Sequence, residues 1–192
     1  MVPRARIEAL TDGIFAFAMT LLVINLVLPE GFEPASNADM LGALSDLDSS
    51  LLAYVISFFV LGLRWMNQAR DKGDPEQAGG LYLWAVLIQL FFVTLMPFST
   101  MVVGRYEDFA PSIWVYAANM ILSALAAIAV SVTAERATGR RPAETGRFGL
   151  LVLIATALAS TVVSLFSTDY AMLPYLGNAF TPVLQRWAGR LL

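Results

Sequence analysis

The sequence predicts an all-α integral membrane protein with six transmembrane helices and with both termini in the cytoplasm. Three observations predict this fold class: the composition, the apolar runs, and the side on which basic residues collect. Hydrophobic residues make up 58% of the 192 residues, charged residues make up 14%, and the mean hydropathy is +0.67. A soluble domain of this size could not bury so much apolar surface. We therefore expect a multi-pass protein within a lipid bilayer.

Six runs approach the roughly 20 mostly apolar residues that a spanning helix needs. They are 8–29, 49–69, 80–103, 110–134, 147–168 and 170–188. The last run contains Pro174 and Pro182, so a tilted, broken or interfacial helix is an alternative to a full span there. Pro97 predicts a kink in the third helix. The connections leave no room for a soluble domain, so residues 1–192 are predicted to form one transmembrane domain.

The loops differ in charge. With six spans and a cytoplasmic N-terminus, eleven of the twelve basic residues lie inside, as the positive-inside rule requires. The inner set is Arg4, Arg6, Arg64, Arg70, Lys72, Arg136, Arg140, Arg141, Arg147, Arg186 and Arg190. The longest connection, Pro29 to Ser50, lies outside and is acidic. It is either an ordinary solvated loop or a segment that concentrates cations.

The first helix carries the most informative pattern. A carboxylate such as that of Asp12 costs about 2.5–3.5 kcal/mol at the centre of a membrane helix, so its place near one end needs a reason. When the residues of the first helix are placed at about 100° intervals around its axis, eight of them fall within about 100° of arc and form a stripe along one face. Thr11, Asp12 and Asn25 point away from this stripe. The stripe is Arg6, Leu10, Gly13, Phe17, Thr20, Leu21, Ile24 and Leu28. On pattern alone, the stripe faces core or lipid and the other polar residues bond to neighbouring helices.

The composition excludes several classes of chemistry. The chain has no cysteine and no histidine, so thiol nucleophiles, imidazole bases and the usual zinc ligands are absent. Its inner loops contain no phosphate-binding glycine pattern, and its intramembrane acid has no second catalytic group at a recognisable spacing. We expect no enzyme, no catalytic residue, no cofactor and no nucleic-acid partner.

The run from Arg6 to Leu22 resembles the first-helix signature of the prokaryotic transmembrane protein 175 family. That signature is Arg-x-x-x-Phe-Ser-Asp-Gly, followed by an apolar run with Thr-Leu-Leu. Arg6 and Asp12 match its charged positions, and Leu10 and Thr11 stand for the usual Phe and Ser. Weaker similarities are Ser57-Phe58, Trp65-Met-Asn67 and Leu95-Met-Pro97-Phe98-Ser99. In the second helix, Gln68 and Ala69 stand where the family usually has histidines.

The resemblance implies a potassium-permeable cation channel of the prokaryotic cytoplasmic membrane, assembled as a homotetramer. The first helices of four subunits would line a central pore, closed by side chains rather than by a carbonyl filter loop. Other monovalent cations could also pass. Carried over by position, the hydrophobic gate and constriction fall on Phe17, Thr20, Leu21 and Ile24, with Leu28 continuing the pore lining.

Polar side chains of the first helix have two kinds of implied role. Thr20 would contact a transient K⁺, or would instead bond back to a helix carbonyl, as threonines often do. The resemblance implies that Arg6 and Asp12, with Thr11, form a structural hydrogen-bond network near the cytoplasmic end. Since Arg6 and Asp12 point about 120° apart, each is expected to meet partners on other helices rather than the other.

Two other classes fit part of the pattern. An ion-coupled secondary transporter could use Asp12, although the chain shows no inverted repeat of its first helix. A non-conducting membrane scaffold would keep the packing features without an aligned constriction. Ion flux with and without a second solute distinguishes the three classes.

Overall fold

The computed structural model describes residues 1–70, 75–139 and 144–181, and this part of the chain is almost entirely helical. The helices are α1 (Arg4–Leu22), α2 (Asn37–Ser45), α3 (Asp48–Arg70), α4 (Gly80–Thr94), α5 (Met96–Arg105), α6 (Ala110–Thr138) and α7 (Glu144–Ser164). Two 3₁₀ segments, Val23–Asn25 and Leu173–Phe180, and two short strands, β1 (Val2–Pro3) and β2 (Gln77–Ala78), complete the elements.

Five helical stretches in the described residues are long and apolar enough to cross a membrane. They are Arg4–Asn25, Asp48–Arg70, Gly80–Arg105, Ala110–Thr138 and Arg147–Ser164. These correspond to the first five predicted spans. The sixth predicted span, 170–188, begins with the 3₁₀ helix Leu173–Phe180, and residues 182–192 lie outside the described residues. The all-helical membrane fold is therefore confirmed, with five candidate spans.

The first helix differs from the predicted range of 8–29 at both ends. It begins at Arg4, after an extended Pro3, and its 3₁₀ turn ends at Asn25. Leu26 has φ −86° and ψ 81°, so the backbone leaves the helix there, just before Pro29. Proline disfavours the helical region for the residue before it, so Pro29 prevents the helix from continuing through Leu28, although the backbone already departs at Leu26.

The third predicted helix, 80–103, is interrupted. Leu95 separates α4 from α5, and Pro97 lies in the first turn of α5. Proline has no backbone N–H and its ring clashes with the carbonyl four residues earlier, so the predicted kink becomes a break. The Thr94 hydroxyl bonds back to the Phe91 carbonyl at 2.7 Å, and the Ser99 hydroxyl bonds to the Met96 carbonyl at 3.1 Å.

The acidic outer connection contains a helix that the sequence interpretation missed. The Ser36 hydroxyl accepts a hydrogen bond from the Asp39 backbone N–H at 3.1 Å and caps α2. The Asp39 carboxylate in turn accepts from the Ala35 N–H at 3.1 Å. This reciprocal capping is a local signal that a sequence search for helix starts could find.

The core is built around α6, which packs on α4, α5 and α7. Its side chains Tyr116, Met120 and Ala124 are fully buried. Ser57 bonds to Tyr116 and Arg64 bonds to Ser123, and both pairs are 59 residues apart in the chain. A constant offset means that α3 and α6 run parallel. At the end of α6, Gly139 adopts φ 67°, a left-handed conformation that favours glycine at a helix C-terminus.

Candidate functional site

Helix α1 has one buried face and one exposed face within the single chain. The buried residues recur at intervals of three or four and pack into the subunit core. They are Ile7, Thr11, Phe15, Ala18 and Leu22. The opposite side carries large apolar side chains that the chain leaves uncovered: Leu10 is 47% exposed, Phe17 is 64% exposed and Ile24 is 63% exposed. The helix therefore presents an apolar surface away from its own subunit.

The stripe defined on the sequence coincides with this uncovered surface over most of its length. Its exposed members are Arg6, Leu10, Gly13, Phe17, Thr20 and Ile24. Leu21 is half-buried at its edge. Leu28 is also half-buried, but it lies three residues beyond the end of the 3₁₀ turn at Asn25. Helical spacing does not reach Leu28, so the reasoning that placed it on the stripe is wrong.

Thr20 combines exposure with a bond to its own helix. Its hydroxyl donates to the Phe17 carbonyl at 2.8 Å, which is the back-bonded arrangement weighed on the sequence, with the acceptor three residues earlier. A hydroxyl has one hydrogen and two lone pairs. Because the hydrogen is used inside the helix, Oγ1 offers only acceptor lone pairs to its surroundings. This suits a water hydrogen or a cation.

The C-terminal end of α1 is tied to the helix break in the third span. After Leu22 the chain tightens into the 3₁₀ turn Val23–Asn25, closed by a bond from the Leu26 N–H to the Val23 carbonyl at 3.0 Å. The Asn25 amide Nδ2 donates to the Pro97 carbonyl at 2.9 Å. One polar side chain thus joins the end of α1 to the start of α5.

Asp12 lies near the middle of α1, not near its end as the sequence predicts, because the helix begins at Arg4, and it meets a partner on another helix. The Trp65 indole Nε1 on α3 donates to the Asp12 carboxylate at 2.9 Å. Arg6 is exposed and does not bond to Asp12. Thr11 is buried, and its hydroxyl makes no hydrogen bond with any residue that the structure describes. The structure therefore brings together Asp12 and Trp65, but does not join Arg6, Thr11 and Asp12 into one network.

The start of α1 is held by the backbone. Strand β1 pairs antiparallel with β2, in the connection between α3 and α4, and the Arg4 N–H bonds to the Glu76 carbonyl at 3.0 Å. The sequence interpretation missed this pairing because two-residue strands carry no detectable alternation.

Arg64, one of the basic residues that the charge pattern assigns to the inner side, lies buried between helices rather than in a loop. Its guanidinium donates to the Ser123 hydroxyl and, at 3.3 Å, to the Ser123 carbonyl, and it sits 5.9 Å from the centre of the Phe15 ring on α1. The sequence does contain a signal for this burial: the arginine lies six residues inside the end of an apolar helix, and ionisable residues within spans usually face the bundle interior.

A neutral pair occupies the position where the resemblance suggested histidines. The Gln89 amide on α4 donates to the Gln68 side-chain carbonyl on α3 at 2.9 Å. Glutamine does not titrate near neutral pH. The link between these two helices is therefore insensitive to pH.

Comparison with known proteins agrees with this geometry. Residues 6–97 match the family described as endosomal/lysosomal potassium channel TMEM175. A protein of Chryseobacterium sp. (strain P1-3) named a potassium channel is 32% identical over 123 residues, 64% of this chain and 60% of the relative. A second potassium channel by name, from Streptomyces collinus, is 33% identical over 125 residues, 63% of this chain and 59% of the relative. The alignments span about three fifths of these relatives.

The fold has a solved counterpart. A crystal structure described as a lysosomal potassium-selective channel TMEM175 homolog from Chamaesiphon minutus matches with a TM-score of 0.71 and 23% identity, covering 93% of this chain and 96% of that one. The resemblance that the first-helix motif indicated is therefore confirmed. Residues 6–97 match the TMEM175 family model, and the fold is similar to that of the Chamaesiphon minutus structure over 93% of this chain.

Proposed function

We propose that four copies of this chain form a potassium-permeable cation channel whose central pore is lined by α1. Both chain termini lie in the cytoplasm of a prokaryotic cell, and the surrounding partner is the lipid bilayer. The constriction consists of Phe17, Thr20, Leu21 and Ile24. Leu28 is left out because it lies beyond the helix. Support comes from the named relatives, which are called potassium channels, and from the surface of α1.

The observation that carries the proposal is the two-sided character of α1. One face is packed into the core, and the other exposes Phe17 and Ile24 by more than 60%. Exposed apolar residues also face lipid elsewhere on the molecule, so exposure alone does not identify a pore. On α1 the apolar side chains alternate with an exposed threonine whose oxygen points only lone pairs outward, but Thr94 on α4 is exposed and back-bonded in the same way. What supports a pore at α1 is therefore this surface together with the family signature that the same helix carries.

The proposed mechanism follows from desolvation. A ring of four Phe17 or four Ile24 side chains offers a cation no ligand, so passage through a narrow ring is opposed by the loss of hydration. Ions therefore pass when the ring widens enough to admit a partly hydrated cation. Between these rings, four Thr20 oxygens replace some of the lost water. In this mechanism the apolar rings act as gate and sieve, and Thr20 provides a transient K⁺ contact.

The test is K⁺ flux through purified protein in liposomes under a K⁺ gradient. The variants are Phe17→Ala and Ile24→Ala. Val162→Ala is a matched control, because Val162 is apolar and 55% exposed but lies on α7. We expect both stripe variants to raise flux by about tenfold or more, since removing one apolar ring lowers the barrier by more than about 1.4 kcal/mol. The control should remain within about twofold.

Two results would overturn the proposal. One is a folded wild-type protein that passes no monovalent cation. The other is a flux that requires a second solute, which would instead indicate an ion-coupled transporter. Chemical cross-linking in the same liposomes should give a tetramer as its largest product.

A further inference from the structure

The constriction end of α1 is not an ordinary helix end. Val23–Asn25 is a 3₁₀ turn with three residues per turn, whereas α1 before it has the usual 3.6. Each residue turns the chain by about 120° in a 3₁₀ helix and by about 100° in an α-helix. Ile24 lies two residues after Leu22, so its direction differs by about 40° between the two forms. The state of this short turn therefore sets where Ile24 points.

Packing restrains the turn only weakly. Val23 is 50% exposed and Ile24 is 63% exposed, and none of the three residues in the turn is buried. The described residues give the turn one side-chain hydrogen bond to the rest of the subunit, from Asn25 Nδ2 to the Pro97 carbonyl at 2.9 Å. Asn25 is half-buried, so water competes less for this bond than it would at an exposed side chain.

The acceptor belongs to a rigid support. Helix α5 crosses α3 so closely that a Cβ added at Gly104 would lie 2.9 Å from the Ser50 Cα, and the Ser50 hydroxyl bonds to the Gly104 carbonyl at 3.0 Å. Nearer to Pro97, the Thr100 hydroxyl donates to the Ser57 hydroxyl on α3 at 2.8 Å, and the Asn119 amide on α6 donates to the Ser99 hydroxyl at 3.0 Å. These bonds fix the start of α5 relative to the subunit core. A bond to Pro97 therefore ties the turn to a part of the molecule that does not move easily.

We propose that Asn25 is a positioning residue for the gate: its bond to the Pro97 carbonyl holds Val23–Asn25 in the 3₁₀ form and so fixes the direction of Ile24. When the bond breaks, the turn samples the α-helical form and Ile24 swings by about 40°. The link to conduction rests on the proposed channel function, but the link between Asn25 and Ile24 does not. In the proposed pore the four Ile24 side chains meet at the axis, so any change of direction moves them away from it. Breaking the bond between Asn25 and Pro97 therefore favours conduction.

The first experiment measures the position of Ile24 without any ion flux. The chain contains no cysteine, so Ile24→Cys creates the single site for a water-soluble methanethiosulfonate reagent in liposome-embedded protein. The second change is Asn25→Leu, which keeps the branching at Cγ and removes the donor. Losing one hydrogen bond of ordinary strength corresponds to about a fivefold change in population, so we expect labelling of Ile24→Cys to become about fivefold faster.

Three controls accompany this measurement. Labelling of Phe17→Cys, which lies within the regular part of α1, should change by less than about twofold on Asn25→Leu. Asn37→Leu, at the exposed start of α2, should leave Ile24→Cys unaffected. Asn25→Gln keeps an amide donor and should restore part of the slow labelling. Size-exclusion profiles check that each variant is folded. If Asn25→Leu does not fold, Asn25→Gln serves in its place: its longer donor side chain should make labelling of Ile24→Cys faster than in the protein that keeps Asn25.

K⁺ flux in the same liposomes then separates the two proposals. Asn25→Leu should raise flux about threefold or more, as the gate spends more time widened. Equal labelling of Ile24→Cys with and without Asn25→Leu would overturn the positioning role. Faster labelling with unchanged or lower flux would overturn its link to conduction. Faster labelling with no flux in any variant would overturn the channel and leave the positioning role standing.

Discussion

Helices α1 and α6 are both long, apolar and capable of crossing a membrane, yet the chain uses them in opposite ways. Half of the most apolar window of α6 is buried within the subunit, against 22% of that of α1. Helix α6 packs on α4, α5 and α7, so it is the central support of the subunit. Helix α1 lies at the side and keeps one apolar face uncovered. Similar hydropathy therefore conceals different roles.

The polar side chains of the two helices show the same difference. On α6, Tyr116 bonds to Ser57, Asn119 donates to Ser99 at 3.0 Å, and Ser123 accepts from Arg64. These groups are paired inside the subunit, where an unpaired polar group would be costly. On α1, Thr20 bonds only to its own backbone and remains exposed. These three groups on α6 join helices of one subunit, whereas Thr20 is available to something outside it.

The comparison predicts which substitutions should change the stability of the subunit and which should change its function. Changes on the buried face of α6 should unfold the subunit, because its contacts are complete within one chain. Changes on the exposed face of α1 should leave the subunit folded and should alter conduction through the proposed tetramer. Three substitutions, in order of decreasing effect on stability, test this separation.

The largest loss of stability is expected for Tyr116→Ala. Tyr116 is fully buried, its hydroxyl bonds to Ser57 at 2.9 Å, and its ring packs edge-on against Tyr175 with 5.2 Å between centroids. Truncating a buried aromatic ring costs about 3–5 kcal/mol. The measurement is denaturant unfolding in detergent micelles. Tyr116→Phe is the control, which should cost only about 1 kcal/mol for the lost hydrogen bond. A cost for Tyr116→Ala no larger than that for Tyr116→Phe would break the comparison.

An intermediate loss is expected for Ser123→Ala. This change removes the side-chain acceptor of the buried Arg64 guanidinium and leaves only the Ser123 carbonyl. Hydrogen bonds to charged groups contribute about 1.5–3 kcal/mol, so the free energy of unfolding should fall by about that amount. Ser131→Ala is a matched control on the same helix, because Ser131 bonds back to the Ala127 carbonyl and joins no other helix. Equal stability of the two variants would show that Arg64 does not depend on Ser123.

The smallest change in stability, with the largest change in flux, is expected for Phe17→Ala. An exposed side chain away from special features usually alters stability by less than about 0.5 kcal/mol. Leu125→Ala is the control from α6, because Leu125 is apolar and 49% exposed. Both variants should unfold like the wild type, but only Phe17→Ala should change K⁺ flux in liposomes. If Leu125→Ala changed flux as much, the exposed face of α1 would have no special role.

Several features were readable from the chain because they depend on local composition and spacing. The five spans follow from runs of about 20 apolar residues, and the exposed stripe of α1 follows from the 3.6-residue period. The placement of Asp12 against another helix follows from its direction on α1. Helix ends were less predictable, because hydropathy continues through residues 26–28 whereas the backbone leaves the helix.

What the sequence by itself determined is the membrane class, the approximate helices, the family resemblance and the face of α1 that carries Phe17 and Ile24. What the tertiary structure alone decided is which distant residues meet: Arg64 with Ser123, 59 residues apart, and Asn25 with Pro97, 72 residues apart. The physical reason is that periodicity records only which way a side chain points from its own helix. The partner it reaches depends on how helices cross, and that is set by packing of the whole subunit.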